Sequence, residues 1–187
     1  MKLSRSDGIP DSPGQYLLLA MMLLLAAAAC SPKGKSLAVP ERQGWVSDYA
    51  GKLKPEEKAR IAAALEAYEK ETCHQIFVLI IPSLDGENMG DFSQRTALAW
   101  EIGQPGFGNG FLITIALQEG TVRIETGSAF EWFIQNGTAD KILKEVMFPL
   151  FRQDKFVEGL ERGLEEIMRA GRLKQIPESH KPENCRQ

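Results

Sequence analysis

The chain has 187 residues, about 43% of them hydrophobic and 25% charged, which suits a single core once the terminal segments are set aside. A formal charge of -3 and a pI near 5.5, with no stripe of basic and aromatic residues, exclude a grip on phosphate backbones, so no nucleic acid is expected as a partner. No internal repeat is present.

At the N-terminus, Lys2 and Arg5 precede an unbroken apolar run from Leu17 to Ala29 that ends in Ala26-Ala27-Ala28-Ala29-Cys30. A membrane span needs about 20 apolar residues, and this run is shorter, so it reads as a signal peptide. Lipoprotein processing alkylates a cysteine thiol with a diacylglyceryl group and cuts the bond before it, which requires small residues there. Cys30 is therefore the expected lipidation site, and two acyl chains anchor a protein stably where one does not. An ordinary secreted protein cut after Ala-x-Ala is the alternative. Ser31 stands where an aspartate would, in many diderm bacteria, mark retention at the inner membrane. The expected location is the bacterial cell envelope, on the periplasmic face of the outer membrane.

The order predicted along the chain is a signal peptide at 1–29, a lipid-anchored linker at 30–43, a folded domain at 44–170 and a polar, disordered tail at 171–187. Pro32 and Pro40 mark the linker. Pro55 at a first-turn position, Glu56 and Glu57 beside it, and Ile61, Leu65 and Tyr68 at helical spacing predict a helix to about Glu71. Gln75 to Ile81 is apolar and β-branched throughout, the pattern of a strand covered on both faces. A second helix is expected from about Asp91 to Trp100, then a tight loop over Gly103 to Gly110. Phe111 to Ala116 and Thr121 to Thr126 read as strands joined by a hairpin through Gln118-Glu119-Gly120.

Ser128-Ala-Phe-Glu131 fits a capping box for a short helix, and Asn136-Gly137 closes that helix before Thr138 caps the next. Ile142, Leu143, Val146 and Met147 form the inner face of that next helix. A last helix is expected from about Asp154 to Arg169, with Phe156, Leu160, Leu164 and Ile167 inward and Gly171 as its stop. Helices alternating with strands, one doubly covered strand and one hairpin define an α/β domain. Its expected form is three-layered: a mixed β-sheet flanked by helices on both faces, with one antiparallel pair.

With Cys30 lipidated, Cys73 and Cys185 remain; pairing would tie the tail to the domain, while two unrelated thiols is the favoured reading. Cys73, His74, His180 and Cys185 make a zinc quartet on paper only, because adjacent Cys73 and His74 would point in opposite directions. No serine-histidine-acid set has a credible base, and no nucleophile elbow, Walker loop or His-Glu-x-x-His helix occurs. The Gly103–Gly110 loop runs from helix into strand, the wrong polarity for a phosphate cradle. The Thr126-Gly127-Ser128-Ala129 turn has the right polarity, which makes Ser128, Arg123 and Glu131 the catalytic candidates of a phosphate-ester site. Calcium or another divalent cation would need several oxygens from loops, and Asp48, Asn109, Glu131 and Asn136 are the candidate donors.

Taken together, Val46–Leu53, His74–Ile81, Trp100–Gly103 with Asn109-Gly110, Val122–Gly127 with Glu131, and Pro149–Arg152 resemble the TPM domain, or TPM phosphatase, family over most of the exported part. The resemblance implies a mixed sheet between helices, in a protein outside the cytoplasm and beside a membrane. Members of that family are linked to photosystem repair, receptor modulation, calcium binding and acid phosphatase activity. Gly108 stands where the family commonly has aspartate before Asn-Gly, Asn136 where it has aspartate five residues after the glutamate, and Ala129 where it has glycine. Two missing carboxylates weaken a cation site. The expected function is thus a lipid-anchored, non-catalytic envelope module that binds an envelope protein or assists membrane-protein maintenance. A phosphatase-like hydrolase and a calcium-binding module are the alternatives.

Overall fold

The computed structural model describes residues 36–173 and 183–185, all within the compact unit Lys35–Gln187. The signal-peptide and Cys30 expectations, and the disorder expected for 174–182 and 186–187, lie outside the described residues. Four strands make one sheet in the order β1-β2-β3-β4: β1 Val46–Asp48, β2 Gln75–Ile81, β3 Gly110–Ala116 and β4 Thr121–Thr126. The first three are parallel, and β4 returns antiparallel to β3. The fold is thus the mixed α/β sheet expected.

Side-chain alternation along β2 and β3 divides the core in two. Ile76, Val78, Ile80, Phe111, Ile113 and Ile115 face one layer, with Val46, Val122 and Ile124 beside them. That layer holds Ile61, Leu65 and Tyr68 of α1 (Pro55–Thr72) and Leu160, Leu164 and Ile167 of α6 (Phe156–Arg172). Phe77, Leu79, Ile81, Leu112 and Ala116 face the other layer, where Phe92 of α2 (Met89–Ala99) covers them.

Both parallel connections step the same way across the sheet, yet α1 covers one face and α2 the other. Two such connections necessarily have opposite hands. One of them is therefore left-handed, against a strong general preference for right-handed crossovers.

Helix ends follow local chemistry. Pro55 occupies the first turn of α1, and Glu57 reaches back to accept the Lys54 N–H at 2.8 Å. The helix ends at Cys73, which takes the left-handed conformation (φ 65°). For α2 the cap is Asn88, whose Oδ1 accepts from the Gly90 and Asp91 amides, so the helix starts two residues before the expected Asp91. Thr138 proves to be the first residue of α4 (Thr138–Ile142), not its cap. Asn136 Oδ1 does the capping, accepting from the Thr138 N–H at 3.0 Å and its hydroxyl at 2.6 Å.

After the short α3 (Glu131–Gln135) and α4, the chain widens into a π turn at Leu143–Met147 and then forms α5 (Phe148–Phe151). Pro149 supplies the reason, since it has no N–H and its ring clashes with a carbonyl one turn back in a regular helix. The last helix runs through Gly171 to Arg172. Gly171 is not its stop: a Cβ there would overlap the Tyr68 hydroxyl, so this glycine lets α6 lie directly on α1.

Two further expectations change. Cys73 and Cys185 are not unrelated thiols but form a disulfide, with Cα atoms 5.8 Å apart across 112 residues of sequence, and Cys185 lies in a 3₁₀ turn, Glu183–Cys185. The stretch expected as a free linker contacts the domain from Leu37 onward. Leu37, Val39 and Trp45 pack on the α2 face, Trp45 stacks on Phe77 at 5.0 Å, and Trp100 Nε1 donates to the Pro40 carbonyl at 2.8 Å.

Candidate functional site

The amino edge of the parallel strands collects most of the residues singled out in the sequence, and there backbone is pressed on backbone. Asn109 is fully buried, its amide donates to the Cys73 carbonyl and to Gln104 Oε1 (2.9 Å), and its Oδ1 accepts the Gln104 N–H (2.7 Å). It clasps the Gly103–Gly110 loop to the end of α1, confirming a tight structural loop. The Gly127 N–H donates to the Gly110 carbonyl (2.9 Å), and the Ala129 N–H to the Gly108 carbonyl (3.1 Å). A Cβ on Gly127 would overlap Gly108, and one on Gly108 would overlap Ser128. Nearby, the buried Tyr68 hydroxyl lies 3.2 Å from His74 Nδ1, whose ring edge meets Phe130 at 4.6 Å between centroids. Burial pushes the Tyr68 hydroxyl up to about 12.

The Ser128 capping box does not form. Gly127 is the cap position of a 3₁₀ turn, Ser128–Phe130, which makes no side-chain cap bond, and Ser128 is already inside it. Glu131, exposed, begins α3. Nor do Arg123, Ser128 and Glu131 share a cleft. Val122 and Ile124 point to the α1 face, so Arg123 points to the α2 face, where it pairs with Glu125 at 2.8 Å and lies beside Gly90. Phe130 and Phe133, flanking Glu131, pack on the opposite face.

Nor do the four cation candidates form one set, because Asp48 lies far from Asn109. Asp48 aligns with Ile80 at the carboxyl end of β2, whereas Asn109 precedes Gly110, which aligns with Gln75 at the amino end. Five strand residues at about 3.3 Å each put them roughly 17 Å apart. Asp48 and Asn136 have local work as well: Asp48 accepts the Ala50 and Leu53 amides at 3.1 and 2.8 Å, and Asn136 caps α4. Among the described residues no group of three or more His, Cys, Asp or Glu is placed to hold a metal ion.

At the carboxyl edge the sheet opens instead into a cleft of about 590 Å³, within the usual range of small-molecule sites. Ile115 and Val122 line it together with Phe148, Phe151 and Phe156. Phe151 stacks on Phe156 at 4.9 Å, and Phe148 meets Phe151 edge-on at 6.4 Å. Exposed Lys52 and Arg152 stand among the lining residues with Asp154 as the acid, and Lys52 Nζ lies 5.4 Å from the Phe156 ring centroid. Ligands of open α/β sheets bind outside the carboxyl ends of the strands, and the cleft has that position. Sequence reasoning missed it, taking Phe156 as core and Lys52 and Arg152 as parts of matching segments. The signal was the convergence of Val46–Leu53 with Pro149–Arg152, which is invisible until the chain folds.

Fold and cleft define a small α/β domain with a mixed sheet and a cleft at its carboxyl edge. The chain belongs to the TPM domain family, whose model matches residues 46–170. It is similar to the solution structure of the N-terminal domain of a P. gingivalis protein, at 28% identity over 71% of this chain and 85% of that one, with a TM-score of 0.63. The BA42 protein of the psychrophilic bacterium Bizionia argentinensis shares the fold at 20% identity, over 73% and 93% of the two chains, with a TM-score of 0.60. So does the N-terminal domain of the cg2496 protein of Corynebacterium glutamicum, at 20% identity over 74% and 88%, with a TM-score of 0.54. No protein of curated function matches the chain.

Proposed function

We propose that the chain is a non-catalytic binding module of the bacterial cell envelope, held at the membrane by a lipid on Cys30, with the carboxyl-edge cleft as its ligand seat. The observation that carries this reading is the cleft itself, an aromatic hollow among Lys52 and Arg152, built for holding rather than for proton transfer. The catalytic candidates Arg123 and Ser128 and the cation candidate Asp48 support it by their engagements: Arg123 with Glu125, Ser128 packed over Gly108, and Asp48 with two backbone amides. The Cys73–Cys185 disulfide supports an oxidising compartment.

The test has two arms. In envelope fractions, the Cys30→Ser chain should leave the membrane while the wild type stays; a variant that remains membrane-bound would remove the anchor. The purified full chain, given an aryl phosphate with calcium, magnesium or manganese, should show no turnover above buffer. Turnover that falls in Arg123→Ala or Glu131→Ala would establish the hydrolase alternative instead. A melting temperature raised by millimolar calcium would favour cation binding, since a ligand at 100 times its Kd adds about 2.7 kcal/mol.

A further inference from the structure

We infer that the cleft seats one anionic phospholipid from the membrane to which the chain is tethered, with an acyl chain along the phenylalanine rings and the phosphate held by Lys52 and Arg152. The inference rests on the envelope-module reading above and names the ligand of its site. Shape and charge argue for an amphiphile. The three stacked and edge-on rings with Ile115 and Val122 give an apolar trough, and the two cations against the single acid Asp154 leave its mouth net positive. A soluble phosphate would leave the trough unused, and a neutral hydrocarbon would leave the cations unused.

The chain's own path argues for a membrane source. Leu37 is pinned where β2 passes into α2: its N–H donates to Glu87 Oε2 at 2.6 Å, and its carbonyl accepts from Arg95, which itself pairs with Glu87. The same loop is joined to the β3–β4 hairpin, because Glu119 Oε1 accepts the Leu84 N–H and the Ser83 hydroxyl, each at 2.9 Å. Gly120, next to Glu119, lines the cleft. The tether therefore meets the domain at its carboxyl edge, on the α2 face, and the cleft opens at that same edge on the α1 face. Leu37 is seven steps along the chain from Cys30, and a fully extended chain spans at most about 3.6 Å per step, roughly 25 Å in all. A lipid on Cys30 holds the carboxyl edge within that distance of a bilayer.

The experiment extracts the full, anchored chain into detergent, adds phosphatidylglycerol or phosphatidylcholine, and counts bound lipid by native mass spectrometry. One phosphatidylglycerol per chain should bind, at least about tenfold better than phosphatidylcholine, a preference of roughly 1.4 kcal/mol. Lys52→Glu with Arg152→Glu should abolish the preference, whereas Lys70→Glu, on an exposed face of α1, should leave it intact. Both rim residues are exposed, so the double variant keeps its fold. Equal binding of the two lipids, or an unchanged preference in the double variant, overturns the inference. If that happens while Cys30→Ser still releases the chain from membranes, the lipid seat falls and the anchored module stands; if Cys30→Ser stays bound, the anchor falls.

Discussion

The two ends of the sheet are built oppositely. At the amino edge, Gly108 and Gly127 let the loop before β3 and the turn after β4 touch backbone to backbone, Gly110 lets that loop close on Gly103, Asn109 satisfies three polar groups, and a disulfide closes the tail onto the same region. At the carboxyl edge, the hairpin, the loop after β1 and the turn before α6 stand back and leave about 590 Å³ open. Rigidity is concentrated where sequence motifs suggested chemistry, and open space lies where they suggested none. A glycine-rich, motif-bearing loop can thus be a closure, with the open cleft at the other end of the strands.

The comparison breaks most readily at Gly127. Gly127→Ala should cost about 4 kcal/mol in urea unfolding, or prevent folding, because its Cβ would overlap Gly108 and neither backbone can retreat. A loss below about 1 kcal/mol would show that the backbones at the amino edge can part. Cys185→Ser should cost about 3 kcal/mol by opening the crosslink between Cys73 and the tail, read from the shift in denaturation midpoint.

Alkaline titration probes the same edge through Tyr68. With its hydroxyl pushed up to about 12 in the folded state and near the ordinary 10 when unfolded, its contribution is fully present below pH 10. As pH rises from 10 to 12 the unfolded chain loses the proton first, so stability falls, by up to roughly 2.7 kcal/mol for two pKa units. Tyr68→Phe should flatten that decline; an equally steep decline in the variant would assign it to other groups.

Gly120→Ala, at the open edge, meets no atom within 4 Å and should cost only about 1 kcal/mol, for its positive φ of 59°. Smallest of all, Lys52→Glu and Arg152→Glu should change stability by less than about 0.5 kcal/mol, because both are exposed. A larger loss would make the rim structural and leave less reason to see a ligand seat there.

How far the sequence could be read depends on the range of the interactions involved. Gln75–Ile81, Thr121–Thr126 and the start of α1 at Pro55 emerge from local pattern, since burial periodicity and first-turn chemistry act within a few residues. β1 was missed because three residues carry too little pattern, and its pairing with β2 decides it. Ser128 and Thr138 were each placed one position too early in their turns. The true caps depend on backbone angles at Gly127 and Gly137 that a residue list does not contain.

By itself the sequence determined the family, the mixed α/β sheet and its antiparallel pair, because hydrophobic period and turn residues suffice for these. Only the tertiary structure decided the opposite hands of the two crossovers, the Cys73–Cys185 pairing and the separation of Asp48 from Asn109. It also decided that Lys52 and Arg152, a hundred residues apart in sequence, share one cleft. All of these depend on which distant segments meet, and chain order constrains that only through the packing of the whole core.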